Sequence, residues 1–200
     1  MAGLSFWYEF ASTYSYPAAM RIEAAAAAAG VTVEWRPFLL GPIFARQGWN
    51  DSPFNLYPDK GRYMWRDLER ICSDAGLPLR QPSAFPRNGL LAARIALVAA
   101  DEGWCPAFTR AVYNAHFAED RDIGAATAMA GILESLGRPA GPLLARAATA
   151  DVKERLKAQT EDAMARGIFG APSFTVGSEL FWGNDRLDQA LEWAKRAATG

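Results

Sequence analysis

The chain opens with a period-two pattern. Leu4, Phe6, Tyr8 and Phe10 alternate with Ser5, Trp7 and Glu9, and this aromatic-rich alternation predicts a strand. Ser12-Thr13-Tyr14-Ser15 follows as a turn. The period then becomes helical: Ser15 is placed as an N-cap, Pro17 falls in the first turn, and an alanine-rich run ends at Gly30. Val31 to Phe38 predicts a second strand, with Val31, Val33 and Trp35 on one face. A strand, a helix and a strand in this order imply parallel strands joined by a crossover helix.

Residues 39–59 lose all periodicity. Gly41, Pro42, Gly48, Pro53 and Pro58 are spread through them, and they read as one long loop of the kind usually tied to function. Helical composition then holds for about a hundred residues, near 60–75, 87–102, 106–117, 122–136, 140–148 and 151–166, separated by Gly and Pro. Strand character returns at Ser173 to Val176 and Glu179 to Trp182, around a Gly177-Ser178 hairpin turn. Asn184 or Asp185 is then expected to cap a last helix carrying Leu187, Ala190, Leu191 and Ala194 on one face. Strands at the two ends can join in one four-stranded mixed sheet. The expected organisation is an α/β domain of residues 1–44 and 165–200, with 45–164 as an all-helical insertion.

Composition narrows the chemistry. There are 21 Lys and Arg against 22 Asp and Glu, a balance without the basic excess of a nucleic-acid binder. One histidine and two cysteines leave too few ligands for a closed zinc site. Cys72 and Cys105 belong to no redox or metal motif, and His116 reads as a satisfied structural histidine. No run of about 20 apolar residues spans a membrane, and the first residues lack the pattern of a secretory leader; a cytoplasmic protein is expected.

Three segments carry candidate chemistry. Ser12 stands between the first strand and the first helix, where a helix N-terminus stabilises an anion such as a thiolate. From these residues alone, Ser12 and Ser15 read equally as helix caps. Gly170-Ala171-Pro172 precedes the hairpin and reads as an ordinary strand entry or as a backbone contact facing a site. Trp182-Gly183-Asn184-Asp185-Arg186 opens the last helix, as a cap or as a reader of a zwitterion.

Taken in order, Phe10-Ala11-Ser12-Thr13-Tyr14-Ser15-Tyr16, Arg36-Pro37-Phe38-Leu39-Leu40-Gly41, Lys60-Gly61-Arg62-Tyr63-Met64, Phe169-Gly170-Ala171-Pro172-Ser173-Phe174 and Phe181-Trp182-Gly183-Asn184-Asp185-Arg186-Leu187 resemble the 2-hydroxychromene-2-carboxylate isomerases. That group also contains kappa-class glutathione transferases and DsbA-type oxidoreductases. The resemblance implies a thioredoxin-like fold with a helical insertion, and a homodimer. It implies glutathione as cofactor and reversible thiolate addition to a small aromatic-derived substrate, with no nucleic-acid or membrane partner.

It assigns Ser12 as the residue that activates the glutathione sulfur. Ala171, before a cis Pro172, would pair with the cysteinyl part. Asp185, with Asn184, would hold the γ-glutamyl end, and Asn50 and Lys60 the glycyl end. Thr13 departs from the family, which often has Pro there. Trp7, Arg36, Trp49, Tyr63 and Arg87 are weaker candidates for gripping an anionic aromatic substrate. A glutathione transferase and a non-catalytic glutathione-binding protein are the alternatives.

Overall fold

The computed structural model describes residues 3–198. Strand β1 (Gly3–Tyr8) leads through helix α1 (Ser15–Ala29) to β2 (Thr32–Pro37); β3 (Ser173–Val176) and β4 (Glu179–Trp182) come at the other end of the chain. The sheet order is β2-β1-β3-β4. β1 and β2 run parallel, with Phe6 opposite Trp35; β3 is antiparallel to both neighbours, with Phe6 opposite Phe174 and Phe174 opposite Phe181. The expected four-stranded mixed sheet is present.

β1 is an inner strand, and both of its faces are covered. Leu4, Phe6 and Tyr8 face a large core shared with α1, while Trp7 packs on the other side with Phe38, Ile43, Ala163 and Ile168. The alternation in the sequence therefore marks two buried faces rather than one buried and one solvated. Helix α1 ends as expected, with Gly30 at a φ of 67° taking the left-handed position after the last turn.

Between β2 and β3 the chain is helical: α2 (Leu40–Arg46), α3 (Pro53–Leu56), α4 (Pro58–Asp74), α5 (Leu90–Asp101), α6 (Cys105–Phe117), α7 (Ala126–Ser135), α8 (Ala140–Ala147) and α9 (Ala150–Ala165). The stretch expected to be one loop holds α2 and α3. Ser52 starts α3 by accepting the Phe54 N–H on its side chain, and Pro53 occupies the first turn. Gly61 lets α4 pass directly over α3, since a Cβ there would meet the Phe54 carbonyl. Short helices of this kind carry too few residues for a periodic signal, which is why the punctuation alone suggested a loop.

Helix α10 (Leu187–Ala197) follows a 3₁₀ turn at Asn184–Arg186. Its buried face is Leu187, Ala190, Leu191 and Ala194, as expected. Neither Asn184 nor Asp185 caps it. The Asn184 side chain accepts from Arg21 of α1 at 3.2 Å, and its carbonyl accepts from the same guanidinium at 2.6 Å. Arg21 also pairs with Asp188 of α10 at 3.0 Å, so the turn is locked to α1. The main core runs without a break from Leu4 and Phe6 of the sheet to Ala93, Phe108, Val112 and Leu133 of the helices.

Candidate active site

The turn from β1 into α1 is held from below. Tyr113 of α6 donates its hydroxyl to the Glu9 carbonyl at 2.8 Å, and His116 meets the Phe10 carbonyl through Nδ1 at 3.0 Å. Both rings are fully buried, and burial drives His116 down to about 4, so it is neutral. It is a structural strut, as expected, but not a satisfied one, because its buried Nε2 has no hydrogen-bond partner among the described residues. Cys72 and Cys105 are free and buried, and burial raises both thiols, which suits structural cysteines.

This support fixes Ser12 ahead of the first turn of α1. Its N–H donates to the Glu9 carbonyl at 3.0 Å. Its Oγ donates to the Ala171 carbonyl at 2.8 Å and accepts the Ser15 N–H at 3.3 Å. Ser12 thus does what was expected of Ser15: it occupies a free N–H of the helix start. Ser15 lies inside the helix and is fully buried. The Ala171–Pro172 bond is cis. Thr13 is buried, and its Oγ1 has no hydrogen-bond partner.

Ser12 opens onto a cavity of about 840 Å³, within the range of small-molecule sites. Its wall brings together Ser12, Asn50, Lys60 and Ala171, segments far apart in the chain. Trp49, Tyr63 and Arg87 also line it. The Lys60 ammonium lies 5.3 Å from the Tyr57 ring, and no carboxylate pairs with it among the described residues. Arg87 is committed to structure: it holds Asp120 in an almost fully buried ion pair and donates to the Arg121 carbonyl.

Other expected residues fall outside this wall. Trp7 is buried on the opposite face, its Nε1 donating to Thr175 at 3.0 Å. Arg36 lies over the Trp7 ring and pairs with Glu34 at 2.8 Å and Asp162 at 3.1 Å. The β1 pleat sends Trp7 and its partner Arg36 away from the Ser12 end. Pro172 is buried behind Ala171. Asn184 is consumed by Arg21 and lies off the wall. Asp185 is exposed and off the wall, paired with Arg186 at 3.5 Å, and close enough to the wall residue Tyr14 to help raise that phenol.

Several lining groups have no role read from the sequence, although all but Glu9 lie in the segments quoted above. Phe169 and Trp182 meet at 4.9 Å between ring centroids and are exposed at the mouth. Trp182 packs on Gly170, where a Cβ would fall 2.5 Å from its Nε1. Tyr14 is pinned by donating to Asp67 of α4 at 2.9 Å. Glu9 lies under the turn, 8% exposed, and accepts the Ala11 N–H at 2.9 Å. Burial, opposed by the Ala11 and Ser12 N–H groups, raises its carboxyl to about 8. A charged residue in the otherwise apolar run from Phe6 to Ala11 was the available signal for it.

Comparison with known proteins agrees with this architecture. The model of the DSBA-like thioredoxin domain matches residues 3–193. A 2-hydroxychromene-2-carboxylate isomerase from Sphingobium xenophagum is 32% identical over 92% of this chain and 94% of its own. Glutathione S-transferase kappa 1 from Homo sapiens is 30% identical over 79% of this chain and 75% of its own. The solved structure of a 2-hydroxychromene-2-carboxylate isomerase superposes with a TM-score of 0.87 at 26% identity, over 98% of this chain and 96% of that one. The chain belongs to the DSBA-like thioredoxin family, in the group that holds the 2-hydroxychromene-2-carboxylate isomerases and the kappa-class glutathione transferases.

Proposed function

We propose that this protein is a glutathione-dependent isomerase of 2-hydroxychromene-2-carboxylate and trans-o-hydroxybenzylidenepyruvate-like compounds, working in the degradation of aromatic compounds. The observation that carries this reading is Ser12 Oγ, which stands at the start of α1 on the wall of a largely apolar cavity, 2.8 Å from the Ala171 carbonyl. A redox relative would keep its reactive cysteine at this turn; a hydroxyl there serves a thiol that arrives with a ligand. The isomerase relative at 32% identity supports the choice of reaction.

The residues present fit glutathione. Its thiolate supplies a nucleophile that adds reversibly to an electron-poor alkene, so that the bond can rotate before the thiolate leaves. The chain supplies the rest. The α1 N-terminus and the Ser12 hydroxyl stabilise a thiolate and lower its pKa. Ser12 now spends its one proton on the Ala171 carbonyl. A peptide N–H donated to that carbonyl releases the Ser12 hydroxyl for sulfur, exchanging one hydrogen bond for another. Lys60 and Asn50 receive the glycyl carboxylate, and Asp185 takes the γ-glutamyl ammonium. The aromatic mouth formed by Tyr63, Phe169 and Trp182 packs a flat conjugated substrate.

The Ser12→Ala variant tests this assignment. Turnover of the chromene with glutathione is expected to fall about 10²-fold or more, while the lost cap and Ala171 hydrogen bond lower the melting temperature by only a few degrees. Wild-type turnover in this variant rejects the role of Ser12. The kappa-class relative supports one alternative, a transferase that releases a conjugate. Titration of free thiol during turnover separates the two, because an isomerase leaves the thiol count constant.

A further inference from the structure

Glu9 is a carboxyl whose setting the reading above does not use. It sits on the turn after β1, three residues before Ser12, and reaches the wall of the same cavity. Oε2 accepts the Ala11 N–H at 2.9 Å. Oε1 lies over Gly89, the residue before α5, where a Cβ would come within 2.7 Å of it. Gly89 has a φ of −86°, which any residue adopts. The backbone therefore does not call for glycine here; the Glu9 carboxyl does, because it fills the space a side chain would take.

Among the described residues no cation stands against Glu9. Tyr113 and His116 face it from α6: Tyr113 donates to its backbone carbonyl, and His116 is neutral and bonded to Phe10. Arg87, on the segment leading to α5, is consumed by Asp120 and the Arg121 carbonyl. Lys60 on α4 lies over Tyr57. From α1 and its entry come the Ala11 and Ser12 N–H groups. A carboxyl without a partner charge, with one oxygen on a backbone N–H and the other over Gly89, in a residue that lines the cavity, keeps its proton at neutral pH and can give it to a ligand.

We propose that Glu9 is a second catalytic residue of this site, the acid that carries the proton for the substrate. The inference rests on the thiolate-addition reading. A thiolate that adds to the β-carbon of a conjugated carbonyl sends the alkene electron pair to the carbonyl oxygen as an enolate. The Glu9 O–H bond breaks, its proton bonds to that enolate, and the electron pair stays on the Glu9 carboxylate. On elimination the carboxylate takes the proton back, the alkene re-forms and the thiolate leaves. Nothing is consumed, and Glu9 ends as it began. Ser12 serves the sulfur and Glu9 serves the oxygen, from two positions on one turn.

Two measurements test this on the full-length protein. Glu9→Gln keeps an acceptor for the Ala11 N–H and loses the transferable proton. Its kcat is expected to fall about 10²-fold, with glutathione expected to raise its melting temperature as in the wild type, and the alkaline loss of activity expected of the wild type as Glu9 ionises is expected to be absent. A Glu9→Gln enzyme within twofold of the wild type, with the same alkaline limb, overturns the role. The second readout needs no turnover: the infrared carbonyl stretch of a protonated carboxyl is expected in the wild type at pH 7 and absent in Glu9→Gln. An ionised Glu9 at pH 7 overturns the proposal whatever the activity. Failure of the functional reading looks different: Ser12→Ala is then as active as the wild type, or no glutathione-dependent turnover exists, and the role of Glu9 falls with it.

Discussion

Glu9 and Ser12 share one turn, yet the backbone treats them in opposite ways. Ser12 is partly open and hydrogen-bonded on both sides of its oxygen; Glu9 is buried with one firm contact. The cost of that burial is measurable. Glu9 rises from 4.5 unfolded to about 8 folded, so as pH increases the unfolded chain ionises first. Its contribution to stability is full below the unfolded value and is lost as pH rises through about 8. Glu9→Gln is therefore expected to melt several degrees above the wild type at about pH 8 and level with it at about pH 4. Thermal melts across pH check this; a constant difference at all pH values contradicts the buried acid. His116 acts in the opposite direction. Its depressed value means that stability is present above about 6.5 and is lost as pH falls toward 4.

Two contacts between elements set the shape of the site. Arg21 of α1 grips Asn184 and Asp188, tying the turn after β4 to the helix that starts at Ser15. Asn184 is thus a structural partner, and Asp185 beside it is an exposed carboxylate paired only with its neighbour Arg186 at 3.5 Å. Asn184→Ala is expected to cost about 1 kcal/mol. Asp185→Asn is expected to leave stability within about 0.5 kcal/mol while weakening glutathione binding several-fold. Denaturation and calorimetry on the two variants check the division; equal effects contradict it. The second contact is Gly61 against the Phe54 carbonyl, which seats α3 on α4 beside Ser52, Lys60 and Tyr63 of the cavity wall. Gly61→Ala must push the two helices apart, with an expected loss of about 1–3 kcal/mol and a smaller thermal shift with glutathione. Unchanged melting and binding in the Gly61→Ala variant contradict this packing.

Across the whole molecule, the cavity lies where the sheet end carrying Ser12 and Ala171 meets α2, α3, α4 and the entry to α5. Long periodic segments made much of this legible in advance. The strands, the long helices and the buried face of α10 follow from alternation and from Leu187, Ala190, Leu191 and Ala194. The motif residues Ser12, Asn50, Lys60 and Ala171 converge because the chain order βαβ–helices–ββα closes one sheet. What stayed hidden depends on contacts between distant segments. Glu9 is a strand-end polar residue until α6 and Gly89 bury it, Asn184 is a helix cap until Arg21 takes it, and Trp7 and Arg36 are site candidates until the pleat of β1 turns them to the other face. Of the short helices in 39–59, α3 forms because Ser52 and Pro53 start it and Gly61 lets α4 lie against it, which no period reveals.

The central claim is that this cavity isomerises its substrate with a borrowed thiol. One measurement addresses it most directly: incubation of the purified protein with 2-hydroxychromene-2-carboxylate, with and without glutathione, following the product and the free thiol together. The expected result is trans-o-hydroxybenzylidenepyruvate formed only when glutathione is present, with the thiol concentration constant throughout. Product formation without glutathione, or thiol lost in step with substrate, would contradict the account.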